Sequence, residues 1–213
     1  MLYLKKRVDA GAPCNNAVIF GTGKQAYWAV RLLATWVAPG AKITVVGRGT
    51  AEVVAGKIST DITCTYVSSS DPAAIEAALR SADAVFGCTP ATSPLFPKEW
   101  LDVERAGREL YISLIGSYKP HMKEIDPAIL NLPGVKTVVD SREACLREAG
   151  ELIEAGLTEG DVKELGVVLG EEVVRGVVVF KCVGLAVMDL VAGRELVKIA
   201  GDKGVGTEIE GFE

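Results

Sequence analysis

Short runs of β-branched and other apolar residues alternate along this chain with longer stretches in which apolar positions recur three or four apart. The short runs lie at 17–20 (AVIF), 43–46 (ITVV), 62–66 (ITCTY), 84–86 (AVF), 110–114 (LYISL) and 135–139 (VKTVV). Their length and lack of alternation suit strands buried on both faces. Between the first two, Ala26, Val30, Leu33 and Val37 fall on one helical face and Pro39-Gly40 stops the segment, which predicts a helix over 24–37. Between the third and fourth, Ser70-Asp71-Pro72 reads as an N-cap with proline in the first turn, opening a helix over 73–80. This rhythm predicts an α/β fold, a parallel sheet covered by helices. After Asp140 the pattern changes to a helix from Ser141, an acidic glycine-punctuated stretch over 150–170, and one more apolar run at 177–180. Leu185, Met188, Val191 or Ala192, Leu196 and Ile199 then mark a long amphipathic helix, followed by an extended, partly exposed tail over 204–213.

Composition narrows the classes of function. Hydrophobic residues make up 49% of the 213, enough for a substantial core. The 23 Lys+Arg against 28 Asp+Glu leave a net charge of -5 without a basic run, so nucleic acid is not an expected partner. No stretch approaches the roughly 18 apolar residues of a membrane span, and Met1 to Arg7 lacks the apolar core of a signal peptide, so a soluble, cytoplasmic protein without membrane contact is expected. Cys14, Cys64, Cys88, Cys145 and Cys182 have no paired spacing; reduced thiols are expected rather than a disulfide framework or a metal site. His121 is the single histidine, which removes mechanisms needing two imidazoles and leaves a serine hydrolase triad without support. A solvated loop position is expected for it.

GTGKQA at 21–26 stands between the first strand and the first long helix. Glycine at a strand-to-helix turn is common, but the placement adds weight. Gly21 permits the tight turn, Gly23 leaves room for a diphosphate to approach backbone, and Ala26 lets the helix pack on the strand. The anion would rest on the first amides of that helix. About 20 residues on, where a carboxylate would accept the ribose hydroxyls of NAD, the second strand ends in Gly47-Arg48-Gly49-Thr50. Arg48, with Thr50 beside it, is placed either to pair with a 2'-phosphate or simply as an exposed loop arginine; the absence of an acid favours NADP(H) over NAD(H). Gly87 to Thr92 and Ile115-Gly116-Ser117 follow the fourth and fifth strands, on the edge where open α/β sheets bind ligands.

Taken in order, GTGKQA, VVGR, ADAVFGCTPATSPLF at 82–96, YISLIGSYKPHMKEID at 111–126, VVDSREACLREAGEL at 138–152 and FKCVGLAVMDLVAG at 180–193 resemble the ornithine cyclodeaminase/mu-crystallin family over most of the chain. The resemblance implies a Rossmann-type doubly wound parallel sheet with flanking helices, a nicotinamide cofactor, and a homodimer formed through a second domain. It implies that Gly21, Gly23, Lys24 and Gln25 form the pyrophosphate loop, that Gly47 and Arg48 form the NADPH-type phosphate site, that Thr89 and Gly116 line the cofactor cleft, and that Val183 and Gly184 return beside the nicotinamide. Three activities come with it: reduction of a cyclic imine or ketimine amino-acid precursor, cyclodeamination of ornithine, and amino-acid dehydrogenation.

Two departures bear on the chemistry. Where cyclodeaminases carry an aspartate two residues before a proline, this chain has Tyr118 ahead of Pro120, which argues against a carboxylate-activated water. Tyr118 is the catalytic candidate, a proton donor or hydrogen-bond partner to an imine nitrogen; its alternative is a half-buried packing residue. The family's N-terminal half-domain, which grips the substrate carboxylate with arginine and lysine, is matched here only by Met1 to Lys6, resembling the last turns of its connecting helix. The expected division is therefore 1–12 as a remnant of that helix, 13–180 as the cofactor domain, and 181–213 as the helix and tail of an incomplete substrate and dimerisation domain. Arg7, Lys119 and Lys123 are cations that would substitute for the missing grip, or else solvated surface charges. The resulting expectations are an NADP(H)-dependent reductase acting on a small imino or amino acid, or an NADP(H)-binding protein or fragment whose chemistry is impaired.

Overall fold

The computed structural model describes residues 1–48, 63–104, 106–207, 209 and 211. Among them, eight strands form one parallel sheet: β1 Asn16–Phe20, β2 Lys42–Gly47, β3 Cys64–Ser68, β4 Ala84–Gly87, β5 Leu110–Leu114, β6 Lys136–Val139, β7 Val162–Glu164 and β8 Val177–Lys181. Their spatial order is β3-β2-β1-β4-β5-β8-β6-β7, so the last strand in sequence enters the middle of the sheet, between β5 and β6. The chain order reverses at β1, whose two neighbours are β2 and β4. Helices α1 Leu2–Asp9, α2 Lys24–Leu32, α3 Pro72–Ser81, α4 Arg142–Glu148, α5 Gly150–Glu154 and α6 Leu165–Gly170 accompany the sheet. Each predicted run corresponds to a strand within two residues at either end, and Ile62, at the start of the third run, lies outside the described residues.

Strand alternation sorts the core onto two faces, as a doubly wound sheet requires. Ala17, Ile19, Phe86, Tyr111, Val178 and Phe180 pack with Ala26, Val30 and Leu33 of the α2 segment and with Tyr3 and Leu4 of α1. Val18, Phe20, Val85, Ile112, Leu114 and Val179 face the other way, against Ile75 and Leu79 of α3 and Cys145 and Leu152 of α4 and α5. The helix expected over 24–37 is continuous in space, but its last turn, Leu33–Val37, widens to a π-helix before Pro39. Asp71 is the N-cap of α3, its carboxylate accepting from the amide of Ala74 at 3.1 Å. Asp71→Ala is expected to cost about 1 kcal/mol, read as a lower urea midpoint at an unchanged slope.

Arg7 corrects the sequence expectation of a substrate-gripping or solvated cation. It is 1% exposed. Its guanidinium donates to the carbonyls of Val174 and Gly176 at 2.9 and 2.8 Å and to Glu109 Oε2 at 2.9 Å. Gly176 and Glu109 immediately precede β8 and β5, so Arg7 ties α1 to the amino-terminal edge of the sheet, the edge opposite any ligand cleft at the strand carboxyl ends. Burial lowers its pKa and the neighbouring Glu109 opposes that shift.

Met1–Val183 forms one compact unit and Gly184–Glu213 another. The second holds α7, Ala186–Lys203, closed by Gly204 in the left-handed conformation with φ 62°. Its apolar residues are not confined to the expected stripe. At about 100° per residue, Val187, Leu190 and Val197 form a second apolar row opposite Met188, Ala192 and Leu196. No residue of this helix is buried.

Candidate functional site

The carboxyl ends of β1, β2 and β4 open onto a cleft of about 480 Å³ lined by Gly21, Thr22, Gly23, Gly47, Arg48, Ser69, Thr89 and Pro90, among others. It sits where the strand order reverses, the place at which open α/β sheets bind ligands. Gly21 makes the turn out of β1 with φ 115°, a conformation closed to most side chains. Its amide donates to Val46 O at 2.8 Å, and a Cβ at this position would lie 2.8 Å from Cys88 O. Gly47 is equally hemmed in, since a Cβ there would meet the Thr22 methyl at 2.4 Å. Gly23 is different: it caps α2 in ordinary extended geometry and has open space where a Cβ would go.

That open space adjoins the start of α2, which carries no side-chain cap and no acidic residue in its first turn. The first intrahelical amide bond runs from Tyr27 to Gly23 O, so the preceding amides remain available to an anion. Lys24 and Gln25 are exposed on that first turn but do not line the cleft. Among the described residues lining it, Arg48 is the one charged side chain, and it is exposed. Thr50 lies outside the described residues. Thr89 lines the cleft, whereas Gly116 forms its support: a Cβ on Gly116 would stand 1.9 Å from Thr89 O, so the loops after β4 and β5 are in direct backbone contact.

A buried carboxylate joins those two loops. Glu124, 0% exposed, accepts from the Thr89 amide at 2.8 Å through Oε1 and from the Gly116 amide at 2.7 Å through Oε2. Burial raises its pKa, and the two amides and Lys181 work against that rise. Beside it, Ser117 donates to Glu151 at 2.6 Å and accepts from Lys181 at 2.6 Å, with all three residues at 0% exposure. None of Glu124, Glu151 or Lys181 stood out in the sequence reading, although Glu124 lies within the segment 111–126 and Lys181 directly follows the last apolar run. Cys88 lines the cleft as a protonated thiol, its pKa pushed up to about 12 by burial and by Glu124.

Tyr118 is 46% exposed on the loop after β5, and the Lys119 ammonium lies 5.6 Å from its ring centre. His121 is exposed, as expected. Lys123 is ion-paired with Glu154 rather than free in solvent. Val183 is held by Asp140, which accepts its amide at 3.3 Å, while Gly184 begins the second unit with φ 93°. None of the five cysteines is in a disulfide. Among the described residues no cluster of His, Cys, Asp and Glu is arranged for a metal, and no helix is long and apolar enough to cross a membrane.

Comparison with known proteins matches residues 16–203 to the family model described as the ornithine cyclodeaminase/mu-crystallin family. A Delta(1)-pyrroline-2-carboxylate reductase of Bacillus cereus is 36% identical over 144 residues, which are 62% of this chain and 42% of that protein. The ketimine reductase mu-crystallin of Macropus fuliginosus is 34% identical over 128 residues, 56% of this chain and 36% of the relative. The matched stretches thus cover less than half the length of these two curated relatives. Among solved structures, a probable ornithine cyclodeaminase from Bordetella pertussis superposes with a TM-score of 0.72 at 26% identity, covering 97% of this chain and 66% of that one. An archaeal alanine dehydrogenase dimer with bound NAD gives a TM-score of 0.75 at 23% identity, over 99% and 65% of the two chains, a likeness of fold.

Proposed function

This chain belongs to the ornithine cyclodeaminase/mu-crystallin family, and from that premise we propose that it binds NADP(H) and serves reduction of a cyclic imine or ketimine amino-acid precursor. The observation that carries the reading is the uncapped start of α2 opening onto a cleft whose one charged lining residue, among those described, is Arg48. The cleft fits the cofactor's acidic groups: the α2 amides behind Gly21 and Gly23 would receive the pyrophosphate, with Lys24 and Gln25 on the same turn. Arg48 at the end of β2 would take the 2'-phosphate, next to Gly47. Thr89 and Gly116 would border the nicotinamide half, with Val183 and Gly184 in the segment returning to it. When bound, the cofactor supplies a hydride to the imine carbon; a proton must also reach the nitrogen, giving the amine.

Tyr118 is the residue we assign to that second task, by donating from its hydroxyl or by holding the imine nitrogen while solvent supplies the proton. The names of the two curated relatives, reductases of pyrroline-2-carboxylate and of ketimines, favour this substrate class over ornithine, and the Tyr118 position agrees with that choice. Residence in the cytoplasm and self-association belong to the same reading. A second reading, cofactor binding without turnover, is favoured by one observation: of the three candidate cations Arg7 sits on the far sheet edge and Lys123 is paired, so two of the three are not offered to a substrate carboxylate and exposed Lys119 alone of them lies by Tyr118.

Tryptophan fluorescence during titration with NADPH and NADH tests cofactor binding; saturable binding with NADPH the tighter is expected, and no saturation with either ends both readings. Loss of NADPH absorbance with Delta(1)-pyrroline-2-carboxylate then separates them. A rate equal to that without protein leaves the binding reading alone.

A further inference from the structure

We propose that Glu124 is a positioning residue for the nicotinamide half of the cleft: its buried carboxylate fixes the loops after β4 and β5 against each other. The proposal rests on the cofactor reading above. Each carboxylate oxygen takes the amide of a different loop, Thr89 from one and Gly116 from the other. The surrounding backbone is shaped to admit it. A Cβ on Gly87 would lie 2.6 to 2.8 Å from the three carboxylate atoms, so glycine at the end of β4 is what leaves them room. Two further backbone bonds join the same segments, Lys123 N to Ala91 O at 2.9 Å and Leu95 N to Glu124 O at 3.0 Å.

An apolar side chain in this place would leave the Thr89 and Gly116 amides without this acceptor, a cost that apolar packing does not offset. An acceptor with two equivalent oxygens offers what an apolar group lacks: it receives one amide from each of two loops and sets their spacing. Thr89 lines the cleft, and Gly116 stands two residues before Tyr118. The spacing of the loops is therefore the spacing between the cofactor wall and the assigned donor. The buried Ser117–Glu151–Lys181 set braces the second loop at its next residue. Lys181 extends β8 beyond Phe180, so the insertion of that strand beside β5 is what brings its ammonium under the loop.

Glu124→Gln keeps shape and volume but replaces one acceptor oxygen with an NH2 group that faces an amide N–H. One loop is then released while the sheet, Gly21 and Arg48 are untouched. The test compares NADPH with adenosine 2',5'-bisphosphate, which carries only the adenosine half, by calorimetry well below the melting temperature of each protein. The expected result is an NADPH Kd raised about 10-fold, with the bisphosphate Kd changed by less than about 2-fold. A parallel loss of both ligands would mean general destabilisation and overturn the proposal, as would an unchanged NADPH Kd. If the unmodified chain binds neither ligand, the cofactor reading fails and takes this proposal with it. Should Glu124→Gln give no cooperative melt, Ser117→Ala carries the test: it removes one brace of the same loop. A rise of about 3-fold in the NADPH Kd alone is expected, and no change would overturn the proposal.

Discussion

Replacing Gly21 with valine is expected to raise the Kd for NADPH on the order of 100-fold, measured by fluorescence titration against the unmodified chain. Two independent costs combine. A backbone φ of 115° is strained for a β-branched residue, at about 1–3 kcal/mol. The new side chain would also start 2.8 Å from Cys88 O, a backbone atom in a loop whose own position is fixed by Cys88 N to Phe20 O at 3.0 Å and by the Thr89 bond to Glu124. Neither loop can yield cheaply, so the turn must reshape and carry the α2 amides away from the cleft. Gly23→Ala separates this effect from ligand approach. At Gly23 the φ is ordinary and no atom lies within 4 Å of a built Cβ. Gly23→Ala should therefore melt like the unmodified chain yet still bind NADPH less tightly, because the methyl occupies space the pyrophosphate needs. An NADPH Kd for Gly21→Val within about 3-fold of the unmodified value would remove Gly21 from the site.

The parts of this fold that could be read from sequence are those in which local pattern and burial agree. β1, β2, β4 and β5 are apolar runs buried on both faces, and their boundaries follow the runs almost residue for residue. β7 went unread because Val162-Lys163-Glu164 buries one side chain, at an edge of the sheet, and carries no apolar run. The placement of β8 between β5 and β6 is a matter of long-range pairing, on which local pattern is silent. The same limit applies to charge. Arg7 reads as a solvated or substrate-gripping cation, and Glu124, Glu151 and Lys181 carry no signal of their own, because charged side chains are seldom fully buried unless paired and the sequence does not show the partners. Each is buried through partners that are distant in the chain, such as Lys181 with Ser117, 64 residues apart. The glycine motif was legible because its constraint is local, a turn between a strand and a helix. The support behind Thr89 and Gly116 was not, because Glu124 reaches both only after the two loops have met.

Arg48→Ala is expected to weaken NADPH by about 30-fold while changing NADH by less than about 3-fold. The asymmetry is the content of the prediction. NADPH and NADH share the pyrophosphate, and the α2 amides that would receive it lie behind Gly21 and Gly23, untouched by the substitution. They differ in one phosphate, and among the described cleft residues one charged side chain is available to meet it. Arg48 is exposed, so its interaction with a phosphate is partly screened, which limits the effect below that of a fully buried pair. For the same reason the NADPH preference of the unmodified chain should shrink as salt is raised from 50 to 500 mM, whereas Arg48→Ala should show little salt dependence of that preference. The neighbouring geometry makes Arg48 a clean site for this test. The Tyr66 hydroxyl donates to Gly47 O at 2.7 Å, and Ser69 N donates to the same carbonyl at 2.8 Å, so the strand end is anchored by groups other than the guanidinium. Removing the side chain takes away charge without releasing the backbone that carries it. Equal losses for the two cofactors would show that Arg48 acts on the shared pyrophosphate or on the loop as a whole, and the preference for NADP(H) would then need another source.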